Sequence, residues 1–244
     1  MVLSEHPDPR GIRVGFLTTL PVVSTGQVTG FPPGLRPVQV GDTQADTAAG
    51  MGRGASHLQV TVDGVDWDLV TVHLKSKLLT FPGGRFSPRD EDERARFGAY
   101  ALYRRAAEAA TIRIHANDVL NEHGQDRPMI VLGDLNDTPQ AATTQMLYGP
   151  PGSQFGTGGF DHPDRGDGSR LWNLAPLIPA DHRFSRIFEG QRELIDHILI
   201  SHALLGRVTS VDADVTGLPS IGVNPNARRG APASDHAPVI ARFT

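Results

Sequence analysis

The chain has 244 residues, of which 39% are hydrophobic, so it can bury a substantial core as one large α/β domain or at most two small ones. We interpret it as a single domain over residues 1–244. Its formal net charge of −4 at pH 7 argues against binding nucleic acid through overall positive charge, and any attraction for phosphate must be local. The absence of cysteine excludes disulfides and thiolate metal sites, and no apolar run has the length needed to span a bilayer.

The first part of the chain predicts strands separated by a long loop. The segment IRVGFLTTL at 12–20 is the first strand candidate. Residues 23–54 are rich in Gly, Pro, Thr and Gln without apolar periodicity, which predicts a surface loop. Two strands follow at 57–62 and 67–74, and the Asp-Gly pair between them is a strong hairpin signal.

A histidine and two lysines come at the end of the second hairpin strand. His73 opens the sequence HLKS, and Lys75 and Lys77 lie on one side of the extended segment after it. Cations beside a histidine would complement a phosphate group. Taken singly, the histidine could be a satisfied polar residue and each lysine an ordinary solvated side chain.

A long helix is predicted next. Ser87-Pro88 and the acidic residues 90–93 predict its start, because a cap, an early proline and negative charge all favour a helix N-terminus. The helix is expected to end before Gly124. Its predicted apolar stripe, at steps of three and four residues, comprises Tyr100, Tyr103, Ala107, Ala110 and Ile114.

The segment PMIVLGDLND at 128–137 predicts a buried strand that ends in polar residues. Extended chain alternates its faces, so Asp134 and Asn136 share one side while Leu135 points into the core. This arrangement would present two polar groups at a sheet edge. Because Asp and Asn are common turn residues, an Asx turn that closes the strand is the alternative interpretation.

The dipeptide Asp-His carries little information by itself, because it occurs at 161–162, 181–182, 196–197 and 235–236. The first two copies lie in polar loops and are expected at the surface. Asp196 shares a face with apolar residues of a strand, where a carboxylate is costly unless it is paired, and His197 lies on the opposite face. The last copy follows a loop that contains Arg228 and Arg229.

Four segments resemble, in order and spacing, the endonuclease/exonuclease/phosphatase superfamily: HLKS at 73–76, GDLND at 133–137, LIDHIL at 194–199 and SDHAPV at 234–239. The resemblance covers most of the chain. It implies a four-layered α/β sandwich of two packed mixed β-sheets flanked by helices, and a metal-dependent phosphoesterase. In that family a strand ending in Asn and a metal-binding Glu of a QE-type motif precede the DPRGI-type turn. Neither motif occurs here, so the first strands of the fold are expected to be absent.

The resemblance also implies roles for the polar residues. His236 would be the general base for water, Asp196 would fix its tautomer, and Asp235 would be a ligand of Mg²⁺ or Mn²⁺. Residues expected to orient the attacking water or contact the scissile phosphate are Asp134, Asn136 and His73. Since the net charge is negative, local cations would draw in the substrate. The candidate cations are Lys75, Arg228 and Arg229.

The substrate class is suggested by one further run. FSRIFEGQRELIDHILIS at 184–201 is similar to a pattern of bacterial extracellular nucleases, which favours DNA or RNA as the substrate. Two alternatives stay open, a phospholipid or inositol-phosphate phosphoesterase of the same fold and a catalytically impaired binding domain. A secreted location is expected only if a signal segment precedes Met1.

Overall fold

The computed structural model describes residues 1–152, 162–224, 227–228 and 230–244. The strands of these residues are β1 (Val2–Leu3), β2 (Gly15–Phe16), β3 (Val22–Gly30), β4 (Val38–Gln39), β5 (Thr47–Ala48), β6 (Gly50–Val62), β7 (Val65–His73), β8 (Met129–Asp134), β9 (Leu171–Asn173), β10 (Arg186–Phe188), β11 (Gln191–Glu193), β12 (Asp196–Ser201), β13 (Val208–Ala213), β14 (Ser220–Ile221) and β15 (Val239–Phe243). The α-helices are α1 (Glu91–Leu120) and α2 (Ala142–Gln145). Short 3-10 helices lie at Pro33–Leu35, Pro82–Gly84, Met146–Tyr148, Arg165–Gly168, Ala175–Leu177 and His202–Arg207.

A six-stranded mixed sheet forms the centre of the fold, in the order β3-β6-β7-β8-β12-β9. The neighbours β7 and β8 are parallel, and the other pairs of this sheet are antiparallel. Since parallel neighbours need a crossover connection, α1 provides it by running between β7 and β8 along the chain. Smaller sheets pair β1 with β2, β4 with β5, β13 with β15, and β10 with both β11 and β14.

Each face of the large sheet covers its own hydrophobic cluster. On one face, Val131 of β8 belongs to the same buried cluster as Ile112 of α1. On the other face, Ile200 of β12 belongs to a second buried cluster with Val211 of β13. Packed mixed sheets with a covering helix give the α/β sandwich class, which confirms the predicted fold class. No helix among the described residues has the length and apolar character needed to cross a membrane.

The interpretation of residues 23–54 as one surface loop is wrong. Val22–Gly30 forms β3, a nine-residue edge strand that pairs with β6. Most of its residues are exposed, so the strand has no need of apolar alternation, and that is the signal by which a half-buried strand is recognised. Pairing with β6 provides the hydrogen-bonding partners that fix β3 as a strand.

The helix is present, but its predicted cap is wrong, and of the predicted apolar stripe Ala107 is buried at 6% exposure while other members are not. Asp90 is the N-cap and accepts a 2.7 Å hydrogen bond from the backbone N–H of Glu93. Tyr103 and Ile114 are 51% and 40% exposed, so they do not belong to the buried face. That face instead runs along Phe97, Ala101, Arg105, Glu108, Ile112, Ala116 and Leu120. Two charged residues within it hide the apolar periodicity.

His197 lies buried on the face of β12 opposite to Asp196, as predicted. Its Nε2–H donates to the carbonyl oxygen of Asp137 at 2.9 Å, and its Nδ1 lies 3.2 Å from Nδ2 of Asn173. Because the carbonyl can only accept, Nε2 carries the proton and Nδ1 accepts from the amide. Burial lowers the pKa of His197 below its ordinary value, since a charged imidazole would be poorly solvated there.

We expect this histidine to make the fold sensitive to acid. The unfolded chain binds the proton below about pH 6.5 while the folded protein still excludes it, so stability is present above that pH and is lost as the pH falls towards the folded pKa. Urea unfolding between about pH 8 and pH 5 should show a smaller loss in His197→Gln than in the wild type. The exposed His123→Gln variant is the control. Equal pH dependence in wild type and His197→Gln would contradict the assignment.

Candidate active site

Three neighbouring strands bring one polar residue each to the same edge of the large sheet. The parallel pairing of β7 and β8 sets His73 opposite Asp134, and the antiparallel pairing of β8 and β12 sets Asp134 opposite Asp196. The three side chains therefore lie in the order His73, Asp134, Asp196 across adjacent strands. Residues distant in sequence meet here because the carboxyl ends of β7 and β8 meet the start of β12.

The close approach of β7 and β8 requires a glycine directly before Asp134. Gly133 pairs with Val72 and has a φ of 131°, a conformation that side-chain-bearing residues rarely adopt. A Cβ at this position would overlap the carbonyl oxygen of Val72. The glycine thus allows β8 to carry the Asp134 carboxylate up against the end of β7.

A histidine from the loop before β15 completes the cluster. His236 Nδ1 lies 2.8 Å from Asp196 Oδ2, which confirms the predicted contact between these two residues. The backbone N–H of His236 donates to Ser234 Oγ at 3.0 Å, which fixes the loop that carries the imidazole. Since a carboxylate can only accept, Nδ1 carries the proton and Nε2 is left as the basic nitrogen.

The turn after β8 has features of both interpretations of the GDLND segment. Leu135 is 1% exposed and points into the core, as predicted. The backbone N–H of Asn136 donates to Asp134 Oδ1 at 2.8 Å, which is the Asx-turn contact. Asn136 is 4% exposed, has a φ of 54°, and donates from Nδ2 to the carbonyl oxygen of Leu74 at 2.9 Å. Its amide therefore fixes the strand ends.

Burial shifts the protonation of the two residues that face each other at the ends of β7 and β8. His73 Nε2 lies 3.2 Å from Asp134 Oδ2. Burial and the repulsive charge of Arg53 lower the pKa of His73 to about 3, so its imidazole is neutral at pH 7. Burial and the charge of Asp196 raise the pKa of Asp134 to about 7. The carboxylate pair is thus costly to ionise in the absence of a cation.

The carboxylate of Asp196 raises the pKa of His236. Burial acts to lower the pKa of His236, but the hydrogen bond and charge of Asp196 outweigh it, so the pKa lies above its ordinary value. Asp196 therefore makes the imidazole a better proton acceptor. This is the electrostatic arrangement expected of a general base near neutral pH.

The donor set at this edge fits a divalent cation. Asp134, Asp196 and His236 each offer a ligand atom, and these atoms lie within 4.8 Å of one another. If His236 acts as the base, the two carboxylates are the groups of this cluster that remain to hold a cation. Among the described residues, neither carboxylate has a Lys or Arg as an ion-pair partner. Carboxylate oxygens are the ligands that Mg²⁺ and Mn²⁺ prefer, and a cation would relieve the repulsion between the two acids.

Comparison with known proteins identifies the family of the chain. The model of the Endonuclease/Exonuclease/phosphatase family matches residues 4–236. The chain belongs to this family. Members of the endonuclease/exonuclease/phosphatase family are hydrolases that act on phosphoesters. No curated protein matches the chain by sequence.

Solved structures with a similar course of the chain have low sequence identity to it. A 3′–5′ exonuclease from Neisseria meningitidis is 18% identical, with a TM-score of 0.48, over 93% of this chain and 73% of that one. A functionally unknown conserved protein from Enterococcus faecalis V583 is 14% identical, with a TM-score of 0.46, over 92% and 67%. Sphingomyelinase C from Streptomyces griseocarneus is 16% identical, with a TM-score of 0.44, over 93% and 66%. The chain spans only 52% of the human Nocturnin catalytic domain, another of these structures.

Lys75, a predicted phosphate ligand, uses its ammonium group within the protein. Its Nζ lies 3.0 Å from the carbonyl oxygen of Ser76 and 2.9 Å from that of Leu78. Burial, with the nearby charge of Arg104, lowers the pKa of Lys75 to about 8. A phosphate contact would need this side chain to leave its carbonyl partners.

The other predicted ligands lie in or beside the loop before β15. Arg228 is half-buried and donates to the carbonyl oxygen of Ala233 at 2.9 Å, and Arg229 lies outside the described residues. Asp235 is half-buried, and its charge contributes to the raised pKa of His236. Asp235 does not belong to the three-ligand cluster of the described residues. Its role as a metal ligand stays a prediction.

The sequence analysis did not identify two charged residues of α1 that hydrogen-bond to the backbone next to the strand edge. Glu108 accepts hydrogen bonds from the backbone N–H groups of Gly52, at 2.9 Å, and Lys75, at 2.6 Å. Arg105 donates to the carbonyl oxygen of Lys75 at 2.9 Å and to Asp137 Oδ2 at 3.0 Å. The available signal was the three-residue spacing of these two charges among small residues of one helix face.

A buried arginine next to His73 was also missed. Arg53 is 8% exposed, and its Nε donates to Asp8 Oδ2 at 3.1 Å. Asp8 and Arg10 belong to the DPRGI segment, and the charges of both arginines lower the pKa of His73. These two charges therefore help to keep the imidazole of His73 neutral.

Proposed function

We propose that this chain is a divalent-metal-dependent phosphodiesterase that hydrolyses DNA or RNA, with His236 as its general base. The observation that carries the proposal is the 2.8 Å pair of Asp196 and His236 beside the buried carboxylate of Asp134. A histidine oriented by a carboxylate at a sheet edge is suited to removing a proton from water. Family membership supports phosphoester hydrolysis as the reaction class.

The proposed chemistry follows from the orientation of His236. Its Nε2 accepts a proton from the water that attacks phosphorus, while Nδ1–H remains bonded to Asp196. The carboxylate stabilises the imidazolium that forms. The family resemblance implies that His73 donates a hydrogen bond to a phosphoryl oxygen. Its neutral imidazole has a single N–H, so this bond would replace the 3.2 Å contact between Nε2 and Asp134 Oδ2.

A divalent cation, when bound, would supply charge neutralisation for the phosphoryl group as negative charge develops. Asp134 would hold it, with Asp235 as the further ligand that the family resemblance implies. Asn136 helps to orient the carboxylate of Asp134, because its backbone N–H donates to Asp134 Oδ1 in the Asx turn.

The substrate proposal is tested by comparing phosphoester classes. Purified protein with Mg²⁺ or Mn²⁺ is incubated with plasmid DNA, with RNA and with sphingomyelin, and the release of nucleotides or phosphocholine is measured. Nucleotide release that EDTA abolishes is the expected result. Phosphocholine release would favour a lipid phosphodiesterase, and inactivity with retained nucleic-acid binding would favour a binding domain.

Local cations should set the salt dependence of nucleic-acid binding. Each phosphate contact that is lost should flatten the slope of log K against log [salt] by about 0.9 on duplex DNA. Replacing Lys75, Arg228 and Arg229 together by glutamine should therefore reduce the slope and weaken binding about equally across sequences. Arg94→Gln, which removes a surface partner of Glu91, is the control. An unchanged slope in the triple variant would remove these residues from the binding surface.

A further inference from the structure

A second polar cluster lies between the large sheet and α1, away from the strand edge. Arg127 Nε contacts Asp68 Oδ2 at 2.9 Å, and Asp68 Oδ1 lies 2.9 Å from His57 Nε2. His57 Nδ1 in turn lies 3.3 Å from Nε2 of His115 on α1. In the sheet, His57 pairs with Val70, three residues before the end of β7. The cluster is therefore about 10 Å from the edge along the strand.

Asp68 fixes the state of the first imidazole. Its side chain is 2% exposed and ion-paired with Arg127, so it is held as a carboxylate that can only accept. His57 must then carry its proton on Nε2, which leaves the lone pair of Nδ1 facing His115. A histidine whose other nitrogen donates to a carboxylate is the usual arrangement of a metal ligand.

The distance between the two imidazoles matches the separation of ligands on one metal ion. Zn–N bonds of about 2.0–2.1 Å in a tetrahedral shell place two ligand nitrogens about 3.3–3.4 Å apart. The observed 3.3 Å between His57 Nδ1 and His115 Nε2 falls at this value, which is also a hydrogen-bonding distance for the pair without a metal. The His57 side chain is 19% exposed, so solvent reaches the pair.

We propose that His57 and His115 form a site for a transition-metal dication such as Zn²⁺, with Asp118 as the third protein ligand. Asp118 is exposed on α1 one turn after His115, and its charge acts on that imidazole. Side chains three residues apart on a helix are neighbours, so its carboxylate can turn towards the pair. Asp118 would move to the pair when the ion binds. Among the described residues, the strand edge is the one place where three ligand atoms already lie close together.

The ligand types of this site give it a different metal preference from the site at the strand edge. Two imidazole nitrogens and one carboxylate favour Zn²⁺, Ni²⁺ or Cu²⁺ over Mg²⁺, which prefers oxygen ligands. A bound ion would connect β6 to α1 and raise the resistance of the fold to unfolding. Water would complete its coordination shell.

Zn²⁺ is the probe for the test, in a protein whose edge site is removed by Asp134→Asn and His236→Ala. Calorimetric titration of this double variant should show one Zn²⁺ ion bound, and NMR of ¹⁵N-labelled histidine should show shifts of both imidazoles. Adding His115→Gln, which leaves the contact between His57 and Asp68 intact, should weaken binding at least about tenfold. Asp68→Asn should weaken it by about 10–100-fold, because the orientation of His57 is lost.

The matched control is His123→Gln, which alters an exposed histidine and should leave Zn²⁺ affinity unchanged. Unfolding curves without metal establish that each variant is folded. The proposal is overturned if the edge-deficient protein binds Zn²⁺ more weakly than about 1 mM, or if His115→Gln binds it as tightly as its parent. Either result would leave the two imidazoles as a hydrogen-bonded pair only.

Discussion

Replacing His236 by alanine is expected to slow phosphodiester hydrolysis by roughly 10²–10⁴-fold, the usual contribution of a positioned general base. The reason is the free Nε2, whose orientation is fixed by the 2.8 Å contact between Nδ1 and Asp196. Nuclease assays at saturating Mg²⁺ measure the effect, and KM should change much less than kcat. Near-normal turnover in the variant would remove the base assignment.

The chain provides a matched control for this experiment. His182 Nδ1 lies 2.9 Å from Asp212 Oδ1, so the pair has similar geometry, but the two side chains are 43% and 46% exposed. His182→Ala should therefore leave the rate unchanged. A drop as large as that of His236→Ala would show that the effect is not specific to the strand edge.

Asp196→Asn should give a different signature from loss of the histidine itself. The carboxylate is what raises the pKa of His236 against the effect of burial, so the substitution lowers that pKa. The acid limb of kcat/KM against pH, which reports the base losing its proton, should move to lower pH while the maximal rate falls. An unmoved limb would show that another group titrates in that range.

The sequence predicted the contact between Asp196 and His236 better than it predicted the outer elements of the fold. Asp196 was recognisable because a carboxylate on a buried strand needs a partner, and its contact with His236 followed from the family resemblance. Asp134 was recognisable from its place after an apolar run. The contacts that Arg105 and Glu108 make with backbone groups near the site could not be predicted. The periodicity of a helix shows which residues share a face, but it does not show which backbone groups they contact on a neighbouring element.

The predictions for two elements, the strand β3 and the apolar stripe of the helix, were wrong for a related reason. The edge strand β3 is stabilised by its pairing with β6, and an exposed edge needs no apolar pattern by which it could be recognised. The helix stripe was displaced because Tyr103 and Ile114 are apolar yet exposed, while charged residues occupy the buried face. In both cases long-range pairing overrode the local pattern.

Replacing Asp134 by asparagine is expected to reduce kcat by about 10²–10³-fold and to raise the Mg²⁺ concentration needed for half-maximal activity. The carboxylate belongs to the three-ligand cluster, and charge neutralisation by a metal ion is worth several kcal/mol, at about 1.4 kcal/mol per tenfold in rate. Asparagine keeps an oxygen that can accept the Asx-turn hydrogen bond from Asn136, so the local backbone should be preserved. Rates over a Mg²⁺ titration measure both effects.

The same substitution should stabilise the protein when no metal is present. Burial and Asp196 raise the pKa of Asp134 to about 7, so above that pH its ionised form destabilises the fold, and asparagine removes the repulsion. In EDTA at about pH 8, Asp134→Asn should therefore have a higher Tm than the wild type, while Mg²⁺ should stabilise the wild type more than the variant. Asp235→Asn separates the two candidate metal ligands, because Asp235 lies outside the cluster and its loss should leave the metal-free Tm unchanged. A lower metal-free Tm for Asp134→Asn would mean that this carboxylate holds the fold together and that the cation position lies elsewhere.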